Sequence, residues 1–213
     1  MEADFWHDKW TKNEIGFHQS KPNALLERYF NKLSLTTGQR VFLPLCGKTL
    51  DIGWLLLSQG FRVAGAELSE AAIKQLFDEL DMKPDIYDVG PFQHYHAKGI
   101  DIFVGDIFEL TADMLGRVDG IYDRAALVAL PADMRGPYTQ HLARITGTAP
   151  QLLLCFEYDQ TQMSGPPFSI DGQEVMRHYQ ESYDITLLER SELKGGFKGR
   201  IPAEETAWLL ERH

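Results

Sequence analysis

The chain has 213 residues, 44% of them hydrophobic, which suits one compact α/β domain with a sizeable core and leaves little room for two. Its formal net charge is −10 with no compensating run of Lys and Arg, which argues against nucleic acid as a partner, because phosphate binding needs a basic surface. Met1-Glu2-Ala3-Asp4 lacks the basic and apolar blocks of a signal peptide, and the longest apolar runs, such as 54–57 and 152–156, are far too short to span a bilayer.

From the N-terminus, 3–13 carries Phe5, Trp6 and Trp10 at helix-like spacing. A turn-like stretch, 14–22, follows. Asn23 is placed to cap a second helix whose apolar side is Leu25, Leu26, Tyr29, Phe30 and Leu33. Beyond Thr37-Gly38 the pattern alternates. Strands are predicted over 40–45, 61–67, 100–105, 118–123 and 151–158. Helices are predicted over 50–58, over 70–80 with Ser69 as N-cap, over 133–145 and over 172–181. Two further strands, 184–189 and 206–211, close the chain. Repeated strand–helix units predict a mostly parallel, doubly wound sheet with helices on both faces. We expect a single domain over 1–213, with 1–36 as an N-terminal helical cover and 37–213 as a Rossmann-like core. The two cysteines, Cys46 and Cys155, sit in apolar strand-like contexts and read as buried free thiols. A reducing cytoplasm is the natural compartment, and we expect a monomer there with no membrane attachment.

In such sheets the ligand sits at the carboxyl ends of the strands, near the point where strand order reverses. The turn after the first strand is Leu43-Pro44-Leu45-Cys46-Gly47-Lys48-Thr49. A phosphate loop would need glycine where Phe42 stands, and a dinucleotide fingerprint needs three glycines where only Gly47 is present. An adenosine ligand without phosphates needs less. One close backbone approach comes from Gly47. One carboxylate for the ribose diol comes from Glu67, about 20 residues past the glycine turn. Glu67 could equally be a solvated strand-end residue.

Several blocks occur in order: Trp6-His7-Asp8-Lys9-Trp10, Gly16-Phe17-His18-Gln19, Pro44-Leu45-Cys46-Gly47-Lys48, Gly65-Ala66-Glu67-Leu68-Ser69-Glu70, Asp106-Ile107-Phe108, Tyr122-Asp123-Arg124-Ala125-Ala126-Leu127 and Gly165-Pro166-Pro167-Phe168. In these the chain resembles the thiopurine S-methyltransferase family, bacterial type, from about Phe5 to Phe168. The resemblance implies a class I S-adenosylmethionine-dependent methyltransferase fold, with an antiparallel C-terminal strand and an N-terminal helical lid over 6–17. It implies cofactor contacts from Trp10, Phe17, Leu45, Gly47, Glu67, Leu68, Asp106, Ile107 and Arg124, with Asp106 and Ile107 on the adenine side. Phe17, Arg124 and Pro166 are its expected substrate contacts, and Arg124 the expected catalytic residue. The implied reaction is methyl transfer to small aromatic or heterocyclic thiols, with selenium and tellurium compounds as further substrates and S-adenosyl-L-homocysteine as product. Other readings are a small-molecule O- or N-methyltransferase and a non-catalytic cofactor-binding protein. Two features depart from the family pattern. The helix around 53–59 is one residue longer than expected, and the loop 194–200 does not match a family substrate loop cleanly.

Methyl transfer from a sulfonium needs binding, exclusion of water and alignment of a nucleophile rather than covalent catalysis. Trp10 and Phe17 are candidates to face the cation; ordinary packing of an amphipathic helix is the competing account, and is preferred for Trp6. Arg124 can meet the cofactor carboxylate or a substrate thiolate, or simply pair with Asp123 at the strand end. No general base is obvious, and a heterocyclic thiol needs none. His18 reads as a turn residue and Cys46 as packing. His94 and His96, two apart with no third ligand in sequence, read as exposed loop histidines, so no metal is expected. The prolines 166–167 follow the fifth predicted strand rather than the fourth. With the acidic charge, this separates them from the proline-proline-aromatic motif of nucleic-acid amino-methyltransferases; they read as a rigid substrate-side loop or a plain turn.

Overall fold

The computed structural model of the chain describes residues 6, 9, 10, 12 and 19–213. Trp6, Lys9 and Trp10 are helical; the rest of the expected N-terminal cover, with Phe17 and His18, lies outside the described residues. Asn23 opens helix α1 (Ala24–Tyr29), its side chain accepting from the backbone N–H groups of Leu25 and Leu26. That satisfies two of the donors a helix start leaves unpaired. A 3₁₀ turn, Phe30–Leu33, finishes the segment.

Among the described residues nine strands form one sheet: β1 (Arg40–Leu43), β2 (Arg62–Glu67), β3 (Asp85–Val89), β4 (Phe92–Ala97), β5 (Ile100–Val104), β6 (Gly120–Arg124), β7 (Gln151–Tyr158), β8 (Tyr183–Glu192) and β9 (Ala203–Arg212). The order is β3-β4-β5-β2-β1-β6-β7-β9-β8. The central five strands are parallel. The last pair is antiparallel, β9 lying between β7 and β8. Alternate residues feed two cores, as the pleat requires. Phe42, Ala64, Phe103, Ile121 and Leu153 face one, with Tyr138, Leu142 and Val175. Val41, Val63, Ile102, Tyr122 and Leu152 face the other, with Leu25, Leu26, Ile52, Ile73 and Leu76. Helices α5 (Ala132–Thr146) and α6 (Gly172–Tyr179) thus cover one face. α1, α2 (Leu50–Gly53) and α3 (Glu70–Glu79) cover the other, while a short α4 (Ala112–Leu115) leads into β6. Ser69 caps α3 as expected, accepting from Ala72 N–H.

Three features differ from the sequence reading. The helix expected over 50–58 is α-helical only to Gly53. It continues as a π turn over Trp54–Ser58, where Gln59 N–H reaches back five residues to the Trp54 carbonyl at 3.1 Å. A π turn takes up one residue more than an α turn. The stretch between α3 and β5 carries no expected element, yet it forms the antiparallel hairpin β3–β4 around Gly90-Pro91, with Gly90 at φ +57°. Finally, His94 and His96 are not loop residues. They lie on β4, one strand from Asp101, and both ring nitrogens contact its carboxylate.

Candidate active site

The carboxyl ends of β1, β2, β5, β6 and β7 share one edge of the sheet, and strand order reverses between β1 and β6. This is where a doubly wound sheet opens a ligand crevice. After β1 the chain turns through Leu45 at φ +46° and Gly47 at φ +53°. Cys46 N–H donates to the Ala66 carbonyl at 3.0 Å, stitching the turn to β2. A Cβ on Gly47 would stand 2.9 Å from the Trp10 ring, so this is a close approach that only glycine permits. Trp10 itself is buried. Cys46 is buried behind the turn, and burial pushes its thiol well up, so it is packing and not a nucleophile.

Glu67 ends β2 with 6% of its surface exposed. Its two carboxylate oxygens accept from Gly47 N–H and Ser69 N–H, each at 2.8 Å. It is therefore no solvated strand-end residue. It ties the glycine turn to the start of α3. Leu68 follows, half-buried. Gly105 N–H donates to the Glu67 carbonyl at 2.9 Å, bringing the end of β5 alongside. There Asp106 caps a 3₁₀ turn through Phe108 N–H at 3.0 Å. Ile107 is buried, its carbonyl 2.8 Å from His141 Nε2.

At the end of β6, Asp123 and Arg124 point to opposite faces. Asp123 is fully buried, accepting from Tyr138 O–H at 2.7 Å and Leu127 N–H at 3.2 Å. Burial pushes its carboxyl up to about 6, although these donors pull it back. The strand-end pair with Arg124 is thus ruled out as the use of Asp123. It anchors the turn that carries Ala125 at φ +62°. Arg124 has different electrostatic neighbours, Glu205 on β9 and the buried Tyr122–Asp51 pair. Asp51 accepts from Tyr122 O–H at 3.1 Å and Asn23 N–H at 2.7 Å. Burial raises the Glu205 carboxyl, against the charge of Arg124 and a hydrogen bond from Asn23. Sequence reasoning missed this group; its only signal is a carboxylate, Asp51, set inside an apolar helix.

The loop 165–168 packs beside that turn. Phe168 N–H donates to the Val128 carbonyl at 2.6 Å, and Tyr158 O–H to the Pro167 carbonyl at 2.6 Å. Arg135 lies over the Phe168 ring, 5.1 Å from its centroid. Pro166 is half-buried. The loop 194–200 reaches the same edge, for Phe197 packs edge-on against Phe156 and Tyr158 at the end of β7, at 5.0 and 5.2 Å.

A thiopurine S-methyltransferase family model matches residues 1–211. The chain belongs to the thiopurine S-methyltransferase family. A thiopurine S-methyltransferase from Xanthobacter autotrophicus is 53% identical over 213 residues, covering all of both chains. One from Gluconobacter oxydans is 50% identical over 206 residues, 97% of this chain and 93% of that one. Among solved structures, a 1,6-didemethyltoxoflavin-N1-methyltransferase of Burkholderia thailandensis, with 1,6-didemethyltoxoflavin and S-adenosylhomocysteine bound, aligns at TM-score 0.67 and 14% identity. It covers 99% of this chain and 87% of its own. A methyltransferase from Anabaena variabilis aligns at TM-score 0.63 and 18% identity, over 99% of this chain and 95% of its own. At these identities the structures share the fold, the class I Rossmann-like methyltransferase fold. The protein is a methyltransferase whose cofactor is S-adenosylmethionine and whose product cofactor is S-adenosylhomocysteine. The residues fit that cofactor in their chemistry: a buried carboxylate, the kind of acceptor a ribose diol calls for, is held beside the glycine turn at the carboxyl end of the sheet.

Proposed function

We propose that the protein methylates the sulfur of small aromatic or heterocyclic thiols of thiopurine type, taken as thiolates. The observation that carries this reading is Arg124 at the crevice, its positive charge set beside carboxylates that hold hydrogen bonds of their own. Among the described residues Glu67 holds two backbone N–H groups and Asp123 holds Tyr138. A phenol needs a base to release its proton at neutral pH. An acidic thiol arrives without that proton, and a fixed guanidinium favours it.

The cofactor, when bound, supplies a methyl group already activated on a sulfonium sulfur. In our reading Glu67 accepts the ribose hydroxyls, while Leu45 and Gly47 offer bare backbone for close approach. Leu68, Asp106 and Ile107 border the adenine. Trp10 and Phe17 turn aromatic faces to the cation, an attraction of about 0.5–2 kcal/mol. Arg124 orients the cofactor carboxylate and the incoming anion, and the loop at Pro166 forms the substrate wall. Selenium and tellurium nucleophiles fall in the same class, since they too react as anions. We place the enzyme in the cytoplasm as a monomer, in keeping with its two free buried cysteines. Among the described residues no helix is long and apolar enough to cross a membrane.

The test is kcat/KM against pH for aryl thiols of graded acidity. Each profile should rise with the pKa of the thiol itself. A single protein pKa shared by all of the thiols would mean that a side chain removes the proton.

A further inference from the structure

We propose that His94, His96 and Asp101 form a divalent transition-metal site, zinc by preference, at the edge of the sheet remote from the crevice. The hairpin brings them together. His94 and His96 are two apart on β4 and so share a face. Asp101 is the direct partner of His96 across the β4–β5 ladder. The three ligand atoms lie within 4.8 Å of one another. His94 Nε2 and His96 Nδ1 approach the same oxygen, Asp101 Oδ1, at 3.0 and 2.8 Å. Ligands bound tetrahedrally at about 2.0–2.1 Å from zinc stand about 3.3 Å apart, so modest side-chain movement seats an ion between them. Two imidazoles and a carboxylate suit zinc and its neighbours rather than calcium or magnesium.

The surroundings behave as an outer shell. The His94 ring stacks on Phe103 with centroids 4.6 Å apart and planes 6° from parallel, which fixes its rotation. Arg40 donates to Asp101 Oδ2 at 2.9 Å, leaving Oδ1 toward the histidines. Such partners orient ligands in known metal sites. His96 is 47% exposed, so an ion has a way in. Asp85 on β3 pairs with His96 from the other side, placing a second carboxylate on the same face. The positive Arg40 keeps the affinity modest. Asp101 is near the amino end of β5, whereas the cofactor residues sit at the carboxyl ends, so an ion here pins the hairpin to the sheet without touching methyl transfer.

The experiment is calorimetric titration of the metal-free full chain with zinc, backed by cobalt absorption. We expect one saturable equivalent at micromolar affinity, a raised melting temperature, and unchanged methyl transfer. His96→Ala should weaken binding tenfold or more. His94→Phe keeps the stack on Phe103 but removes the nitrogen, and should do the same, so a folding defect in one variant leaves the other decisive. Zinc binding of equal strength in wild type and both variants would overturn the proposal. So would the absence of saturable binding at sub-millimolar zinc.

Discussion

Replacing Glu67 by Gln changes charge and one atom while keeping the shape of the side chain. The two carboxylate oxygens meet two backbone N–H groups at 2.8 Å each, from Gly47 and Ser69. A carboxamide has one acceptor oxygen, so its NH₂ must face one of those N–H groups. A buried donor left unpaired costs about 1–3 kcal/mol. For a chain of this length each kcal/mol lowers the melting temperature by about 2–4 °C, so the cofactor-free variant should melt a few degrees lower. The proposed ribose contact adds a second effect. A hydrogen bond to a charged group contributes about 1.5–3 kcal/mol, and each 1.4 kcal/mol is tenfold in affinity. Calorimetry with S-adenosylhomocysteine should therefore show a dissociation constant raised about 10- to 100-fold. A lowered melting temperature with unchanged affinity would make Glu67 a structural tie for the glycine turn alone, and the ribose assignment would fail.

Arg124→Lys keeps the charge but loses the planar fork; we expect a marked fall in kcat/KM with an unaltered fold, and wild-type kinetics would show that Arg124 does not act in the crevice. Trp10→Ala should weaken the cationic cofactor more than its neutral product, by about 2- to 30-fold if the indole face meets the sulfonium; equal losses for both, measured by calorimetry, would reduce Trp10 to packing over Gly47. Asp123 carries a pH signature. Its folded carboxyl is raised from 3.8 to about 6, so its favourable contribution is complete below the unfolded value and is lost as pH rises through about 6. The unfolding free energy of wild type relative to Asp123→Asn should fall by about 2–3 kcal/mol between pH 4 and pH 7, as read by denaturant titration. A pH-independent difference would contradict the buried, raised carboxyl.

What the sequence made legible follows from how strongly each residue is constrained. β7 occupies the predicted 151–158 because an apolar run bounded by Pro150 has one way to be buried from both faces. Asn23 and Ser69 were readable as caps because few other residue types satisfy helix-start donors. The β3–β4 hairpin was not legible. β3 is exposed along most of its length and β4 buries only Phe92 and Tyr95, so no apolar alternation marks an edge hairpin. The π turn was not legible, because its geometry depends on the packing of Trp54 and Leu55 and not on a local pattern. At the site, Glu67, Gly47 and Trp10 came from spacing and resemblance, and the structure gathers them around one turn. The grouping of Asn23, Asp51, Tyr122 and Glu205 near Arg124 joins distant parts of the chain, which no local pattern encodes. The alternative of an Asp123–Arg124 pair fails because neighbours in sequence lie on opposite sides of a strand, and Asp123 turns to Tyr138 instead.

The central claim, sulfur methylation of a small thiolate without a protein base, is tested most directly by transfer of a labelled methyl group from S-adenosylmethionine to matched aryl thiols, phenols and anilines. The account predicts label on the thiols and their selenium counterparts, with phenols and anilines unmodified. Label on phenols or anilines with none on the thiols would contradict it.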